Sequence, residues 1–494
     1  MLVVLVGGGA FAFIKMDPFH VLHAGPQAAE AVPEDAIGYV GFDLDPSAKQ
    51  KINALRFLNH FPAFEENVDL EDEHSDVRKA IFNAAIQQTE CSGIDYAKDV
   101  EPWLGKKFGL AAMPSADDGS EPEVLGVAEV TDTGAAKKAL DKLNACATQQ
   151  GGDGVGYAFD DDYLLVTQTK DLAQKYADAA GDSSLADADD FQADMDSLGD
   201  LGVATAWVDI KAVANAMPES TQSQAESVLQ GASSRVALTC RFQSDSLELV
   251  ATGYGATPEI DHDDNPVTKL PESTVFALSE SGGGQRLQAA WDGLLDQARS
   301  RVPGLDDKLA SFESQSGLKL PDALVTLLGK NVLLAADKNG LTDAEALEAV
   351  VPSDLNIGVR FTNDPAKLND LYQKLIDLGM LPSSTSGDLP VTKKDFSDGV
   401  VVASNDSYAD TLRKLEGDLG SDPAFTSVID DAANKEFVLF FNFDAVEGPI
   451  LQAAADSGAP QAVIDNLRPL QAFGVTQVVD GDYNKLTVTL SVNK

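Results

Sequence analysis

The chain has 494 residues, 44% apolar and 23% charged, an ordinary globular balance with room for two to four domains. Its charge is not ordinary: 79 acids against 36 bases give a formal net charge of −43, spread along the chain. A field of that sign disfavours nucleic acid as a partner and reads as the solvated surface of a secreted protein, with a salt-adapted host or diffuse cation binding as alternatives.

Residues 1–16 hold an apolar run, Leu2 to Ile14, shorter than the roughly 20 residues a bilayer-spanning helix needs. No Lys or Arg precedes it, so it lacks the basic flank of an export signal. Two explanations stand: a truncated transmembrane helix or signal anchor whose start lies upstream, or a short degenerate signal. Both place the bulk of the chain outside the cytoplasm, as a single-pass protein of the cell membrane. A polar spacer, 17–30, follows, with His20 and His23 expected in solvent.

A first repeat domain is expected over 31–254. Ala36–Phe42 reads as a strand, Asp45-Pro46-Ser47 as the cap and first turn of a helix carrying Ile52, Leu55 and Leu58, and 64–88 as an acidic helix. A strand ending at Met113 and another at Val124–Val130 lead to a helix with Ala136, Leu140 and Leu143 on one face. The Asp160-Asp161-Asp162 turn makes a hairpin of Gly156–Asp160 and Tyr163–Thr167. Helices at Lys170–Ala180 and Asp187–Ser197, a strand Val203–Asp209, a helix to Gly231 and a hairpin of Arg235–Phe242 with Leu247–Thr252 close the domain. The Pro-, Gly- and acid-rich stretch 255–268 reads as an exposed linker.

The second domain, 269–494, repeats the first. Ser92–Lys106 (SGIDYAKDVEPWLGK) aligns without a gap on Ser316–Lys330 (SGLKLPDALVTLLGK), and Val32-Pro33-Glu34 answers Leu270-Pro271-Glu272. Ile357–Thr362 answers Val124–Val130, and Phe437–Phe443 with Asp444 answers Val203–Val208 with Asp209. The expected fold is therefore α+β: two tandem homologous domains from an internal duplication, each a mixed, largely antiparallel sheet with helices on one face, preceded by an N-terminal transmembrane segment.

Chemistry is sparse. None of the five histidines lies in HExxH or beside a nucleophile motif, and neither GxSxG nor a Walker loop occurs. No catalytic residue, metal site or cofactor is expected. Cys91, Cys146 and Cys240 form no CxxC pair, which leaves open one disulfide with a spare thiol or three free thiols. The weak ligand-binding candidates are Trp103 and Lys106, read as a binding lip, with Lys330 at the place of Lys106 in the second repeat. Leu327 at the place of Trp103 favours instead a packed turn.

Val32–Phe57 (VPEDAIGYVGFDLDPSAKQKINALRF) with Glu101–Ala112 (EPWLGKKFGLAA) resembles an uncharacterised actinobacterial membrane-anchored family, domain of unknown function 3352. The resemblance runs from about residue 30 to the end and implies a cytoplasmic tail, one transmembrane helix and a large extracytoplasmic part. It implies no activity and no catalytic residue. The leading expectation is non-enzymatic binding of a ligand, lipid, cell-wall material or an envelope partner, with a cell-envelope hydrolase using cleft carboxylates and a structural scaffold as alternatives.

Overall fold

The computed structural model describes residues 26–43, 48–67, 78–79, 93–115, 122–149, 154–216, 233–255, 260, 263–339, 341, 354–380 and 391–494. The expected transmembrane segment, the first part of the spacer, most of the acidic helix, Cys91 and the middle of the linker lie outside them. Among the described residues no helix is long and apolar enough to cross a membrane.

The protein is α+β and falls into two compact units, one within 1–56, 64–219 and 235–242, the other within 57–63, 220–234 and 243–494. The first unit holds β1 (Gly38–Asp43), β2 (Leu104–Met113), β3 (Glu123–Val130), β4 (Gly156–Asp160), β5 (Tyr163–Thr167), β6 (Ala204–Asp209) and β7 (Arg235–Phe242). Their order is β7-β6-β1-β2-β3-β5-β4. The second unit holds β8 (Ser246–Tyr254), β9 (Thr274–Ser281), β10 (Asn331–Asp337), β11 (Ile357–Thr362), β12 (Thr392–Phe396), β13 (Gly399–Ala403), β14 (Phe437–Asn442), β15 (Leu470–Asp480) and β16 (Tyr483–Val492). These run in the order β12-β13-β11-β10-β9-β14-β15-β16-β8. β8 belongs here, although the sequence sets its boundary at 255, because it pairs with β16 from Tyr254↔Tyr483 to Ser246↔Ser491.

Two expectations need correction. Within each unit every described ladder is antiparallel rather than mixed. The helical excursions from β1 to β2 and from β9 to β10 bring the chain back to the sheet end it left, so the next strand runs the other way. Helices also cover both faces rather than one. Leu164 and Val166 of β5 pack with the helix Thr133–Gln149, through Ala136, Ala139 and Leu140. Strand alternation sends Leu165 to the opposite face, where it is fully buried.

The stretches read as spacer and linker are partly built in. Ala28 and Ala29 of the 3-10 turn Pro26–Ala31 are fully buried. Asn265 caps the turn Pro266–Lys269 and ties it down with Asn265 N to Ala433 O at 2.7 Å and Nδ2 to Lys435 O at 3.0 Å. In the second unit Leu333, Val401, Phe425 and Phe440 form the core with Tyr408 and Leu412. Each such side chain contributes about 1.5–3 kcal/mol on leaving water.

Candidate functional site

A cleft of about 590 Å³ lies in the first unit at the entrance to β1. Three stretches build it. Glu34 to Ile37 lead into β1, Leu185 to Phe191 turn into the helix Asp189–Leu198, and Trp207 and Asp209 end β6. The first two are tied by backbone: Glu34 N donates to Ser183 O at 3.1 Å and Leu185 N to Val32 O at 2.7 Å. A side chain finishes the join, with Ser183 Oγ on Glu34 Oε2 at 2.6 Å, and Ser184 Oγ on Asp187 Oδ2 at 2.8 Å braces the second stretch itself.

The helix Asp189–Leu198 buries Phe191, Asp194, Met195 and Leu198, a stripe of helical period with a carboxylate in it. Asp194 is only 1% exposed and is fully engaged. It accepts Trp207 Nε1 at 2.8 Å, Arg235 Nε at 2.7 Å and Arg235 Nη2 at 3.1 Å. Arg235 also reaches Asp190 Oδ2 at 3.2 Å. The planar fork of Arg suits this two-point pairing and fixes the indole edge above it. Phe191 meets Tyr39 and Trp207 edge to face, at 5.8 and 5.6 Å between centroids, so the floor is an aromatic stack.

Around that floor stand Glu34, Asp35, Asp187, Asp189, Asp190 and Asp209, and the lining contains no Lys or His. Asp209 Oδ1 also accepts Ala212 N at 2.8 Å, which holds the turn out of β6. Among the described residues no group of three or more His, Cys, Asp and Glu is arranged to hold a metal ion. The arrangement is suited to a cationic organic group: carboxylates at the rim and an apolar body below.

The sequence-derived candidates lie elsewhere. Trp103 is 5% exposed and packs with Ile94, Tyr96, Val100 and Leu140. Its indole Nε1 donates to Asp99 O at 2.6 Å, and Thr131 N binds Trp103 O at 2.8 Å. The indole is interior, not a lip. Beside it, Lys142 Nζ at 2.5 Å and the Asp95 N–H hold the Asp99 carboxyl below the usual carboxylate range. Lys106 is exposed, with its backbone N on Glu129 Oε2 at 2.7 Å. Gly105 is required there, because a Cβ would stand 2.5 Å from Glu129 Cγ. Lys330 is exposed in the second unit, its N bound to Thr362 O at 2.8 Å. These residues are not brought to the acidic cleft.

Of the cysteines, Cys146 is disulfide-bonded and Cys240 is a buried free thiol. Burial pushes the Cys240 thiol up to about 12, because the thiolate has no water around it. Cys240 should resist alkylation in the native chain at pH 8 and react once urea is added. Peptide mapping of iodoacetamide-treated protein reads this directly, and native labelling at Cys240 would contradict the burial.

An antiparallel α+β architecture with an acid-rimmed, aromatic-floored cleft defines the class. The chain belongs to the family described as a protein of unknown function (DUF3352), whose model matches residues 1–340. No curated protein matches the chain.

Proposed function

We propose that the chain is a membrane-anchored, extracytoplasmic, non-enzymatic binding protein whose ligand is cationic and sits in the cleft of the first unit. The carrying observation is the cleft itself, with six carboxylates around the Phe191–Trp207 stack, of which Asp190 is paired with Arg235, and no Lys, Arg or His in the lining. The disulfide at Cys146 supports an oxidising compartment. The apolar run Leu2 to Ile14 and the acidic composition support anchorage outside the cytoplasm.

An internal duplication is part of this reading. Strand order β7-β6-β1-β2-β3-β5-β4 matches β15-β14-β9-β10-β11-β13-β12. Trp207 pairs with Tyr39 of β1, and Phe440 with Ala277 of β9. Asp209 lies opposite Arg235, and Asn442 opposite Ala472. Phe191–Trp207 is answered by Phe425–Phe440, edge to face at 5.0 Å. At the matching places of the second unit Asp35, Asp187, Asp189, Asp190 and Asp194 are replaced by Ser273, Ser421, Pro423, Ala424 and Val428. Glu272 keeps the place of Glu34 and Asp422 takes that of Ala188, so the same architecture recurs with far fewer charges. That contrast supports a use for the charges beyond folding.

The test is titration of the full chain with spermidine, a flexible polycation, followed by calorimetry and native mass spectrometry. One spermidine per chain is expected, weakened about tenfold by Asp35→Asn with Asp189→Asn and unaffected by Asn at Asp160, Asp161 and Asp162. Equal losses in both sets would reduce the binding to the general field of the acidic surface. The same carboxylates favour a second reading, a cell-envelope hydrolase, for which release of product from cell-wall fragments, lost in the Asp35 and Asp189 variant, is the signature.

A further inference from the structure

The ladders of the second unit set apolar side chains opposite one another from strand to strand. Leu249 pairs with Val488, Val488 with Val475, Val475 with Leu439, Leu439 with Leu278, and Leu278 with Leu334. Cross-strand partners share a face and their strands lie about 4.8 Å apart, so this is an unbroken line of about 24 Å from β8 to β10. Two residues along the strands, Phe473 pairs with Phe441 and Phe441 with Phe276, which gives the same face a second, aromatic line. No side chain named in either line can make a hydrogen bond.

The fold closes the other face instead. Val438, Phe440 and Leu333 are fully buried there, and the hydroxyls of Ser279, Thr476, Thr489 and Ser491 are buried with them. In the apolar line Leu249 is 38% exposed and the others are half-buried. Hydroxyls are thus withdrawn from water while the leucines opposite stay within its reach, which marks the open face for a use beyond the core.

The helices between β9 and β10 stand on the open side without sealing it. Glu280, two residues beyond Leu278 and so on the same face, binds Arg286 of the helix Gly283–Arg301. A Cβ on Gly283 would stand 3.0 Å from Glu280 Cγ and 3.5 Å from Leu328 Cβ, which brings the helix Asp322–Leu328 to the same place. Yet Leu287, Trp291 and Leu295 of the first helix are only half-buried, and Asp322–Leu328 contains no buried residue. A helix seated on the sheet would bury its own stripe and the strand residues beneath it. Here neither closes on the other.

We propose that this open face of the second unit holds the acyl chain of a single lipid molecule, between the sheet and the helices standing over it. A methylene chain is apolar along its length and suits a floor that offers no hydrogen bond. A peptide strand would lay unpaired N–H and C=O groups on the same floor. The helices keep a flat bilayer or a second sheet from descending on the face, whereas one flexible chain slides beneath them. The site differs in residues and in chemistry from the acid-rimmed cleft of the first unit.

The experiment is calorimetric titration of the full chain with lysophosphatidylcholines of decanoyl, dodecanoyl and tetradecanoyl chain, each below its micelle concentration. One lipid per chain is expected, with affinity rising up to about fourfold for each methylene withdrawn from water. Val475→Thr with Val488→Thr puts two hydroxyls into the floor at nearly constant shape and should weaken binding at least about tenfold. Val463→Thr, the same change at a helix residue 48% exposed, should leave binding unaltered. Thr keeps the β-branching, so circular dichroism melts near the parent value separate lost binding from misfolding. The chain-length series on the parent tests the proposal even where the pair misfolds. Affinity indifferent to chain length overturns it, and so does binding that survives the Thr pair, as uptake by the run Leu2 to Ile14 would give. Retention on phosphatidylcholine vesicles with no monomeric lipid bound overturns it in favour of a bilayer surface. A lipid-free dimer in sedimentation velocity, dissociated by the Thr pair, overturns it in favour of a second copy.

Discussion

Asp194→Ala is expected to cost about 3–5 kcal/mol, the largest effect of any single change around the cleft. The side chain of Asp194 is 2% exposed and that of Arg235 is 11% exposed, so removing the carboxylate strands a nearly buried guanidinium. It also leaves the Trp207 Nε1–H without its acceptor. Asp190 is no substitute, being 70% exposed and bound to Arg235 through a different nitrogen. The second unit supplies the compensating experiment. On the proposed duplication, Val428, Ala472 and Phe440, which share a dry core, answer Asp194, Arg235 and Trp207. The triple variant Asp194→Val, Arg235→Ala, Trp207→Phe should therefore recover to within about 1.5 kcal/mol of the parent, since replacing a buried ionic cluster by packed apolar groups is close to neutral. Urea denaturation gives the totals, and hydrogen exchange at β6 and β7 shows whether the loss is local. A single variant that loses under 1 kcal/mol would mean that the Arg235–Asp194 pair is solvated in solution.

Much of the fold is legible in the sequence, because its strands obey simple alternation and its turns use diagnostic residues. Asp160-Asp161-Asp162 marks the β4–β5 hairpin, and Asp161 takes the left-handed conformation there at φ 43°. Thr169 and Asn405 start their helices by accepting Leu172 N and Tyr408 N. What escapes is information that only pairing supplies. Sequence matching aligns Asp209 with Asp444, whereas on the proposed duplication the ladders answer Asp209 with Asn442, and Asn442 Oδ1 accepts Ala445 N at 3.0 Å just as Asp209 Oδ1 accepts Ala212 N at 2.8 Å. The count of helices per face escapes too, because a short strand such as β5 is apolar on both sides and periodicity has no second face to exclude.

The cleft is less legible than the fold. Its acids come from three separated stretches, and in a chain with 79 acids none of them stands out. One signal was present. Phe191, Asp194, Met195 and Leu198 have helical spacing, so a carboxylate interrupts an apolar stripe, and a buried acid implies a buried partner. Trp103, beside Pro102 and followed by Gly105 and Lys106, reads as a lip or a packed turn, and its indole proves interior, as the packed turn requires.

Phe440→Ala should cost about 3–5 kcal/mol in the second unit, comparable to the loss at Asp194 but for a different reason. Phe440 is fully buried between strand neighbours Ala277 and Gly474, two small residues that leave the ring to fill the space. Phe425 meets it edge to face, with 67° between planes, and loses that contact as well. The void cannot close easily, since a Cβ on Gly474 would already press within 2.6 Å of Val428 O, so the backbone there is in close approach. Nor is the void a good place for water, because Val428, Val438 and Ala277 offer apolar side chains. Phe440→Leu keeps most of the volume and should lose less than about 1.5 kcal/mol. Hydrogen exchange should locate the damage in β9, β14 and β15, with β1, β6 and β7 keeping their protection. Equal losses for Ala and Leu would show that the aromatic edge contact, and not the filled volume, holds this core together.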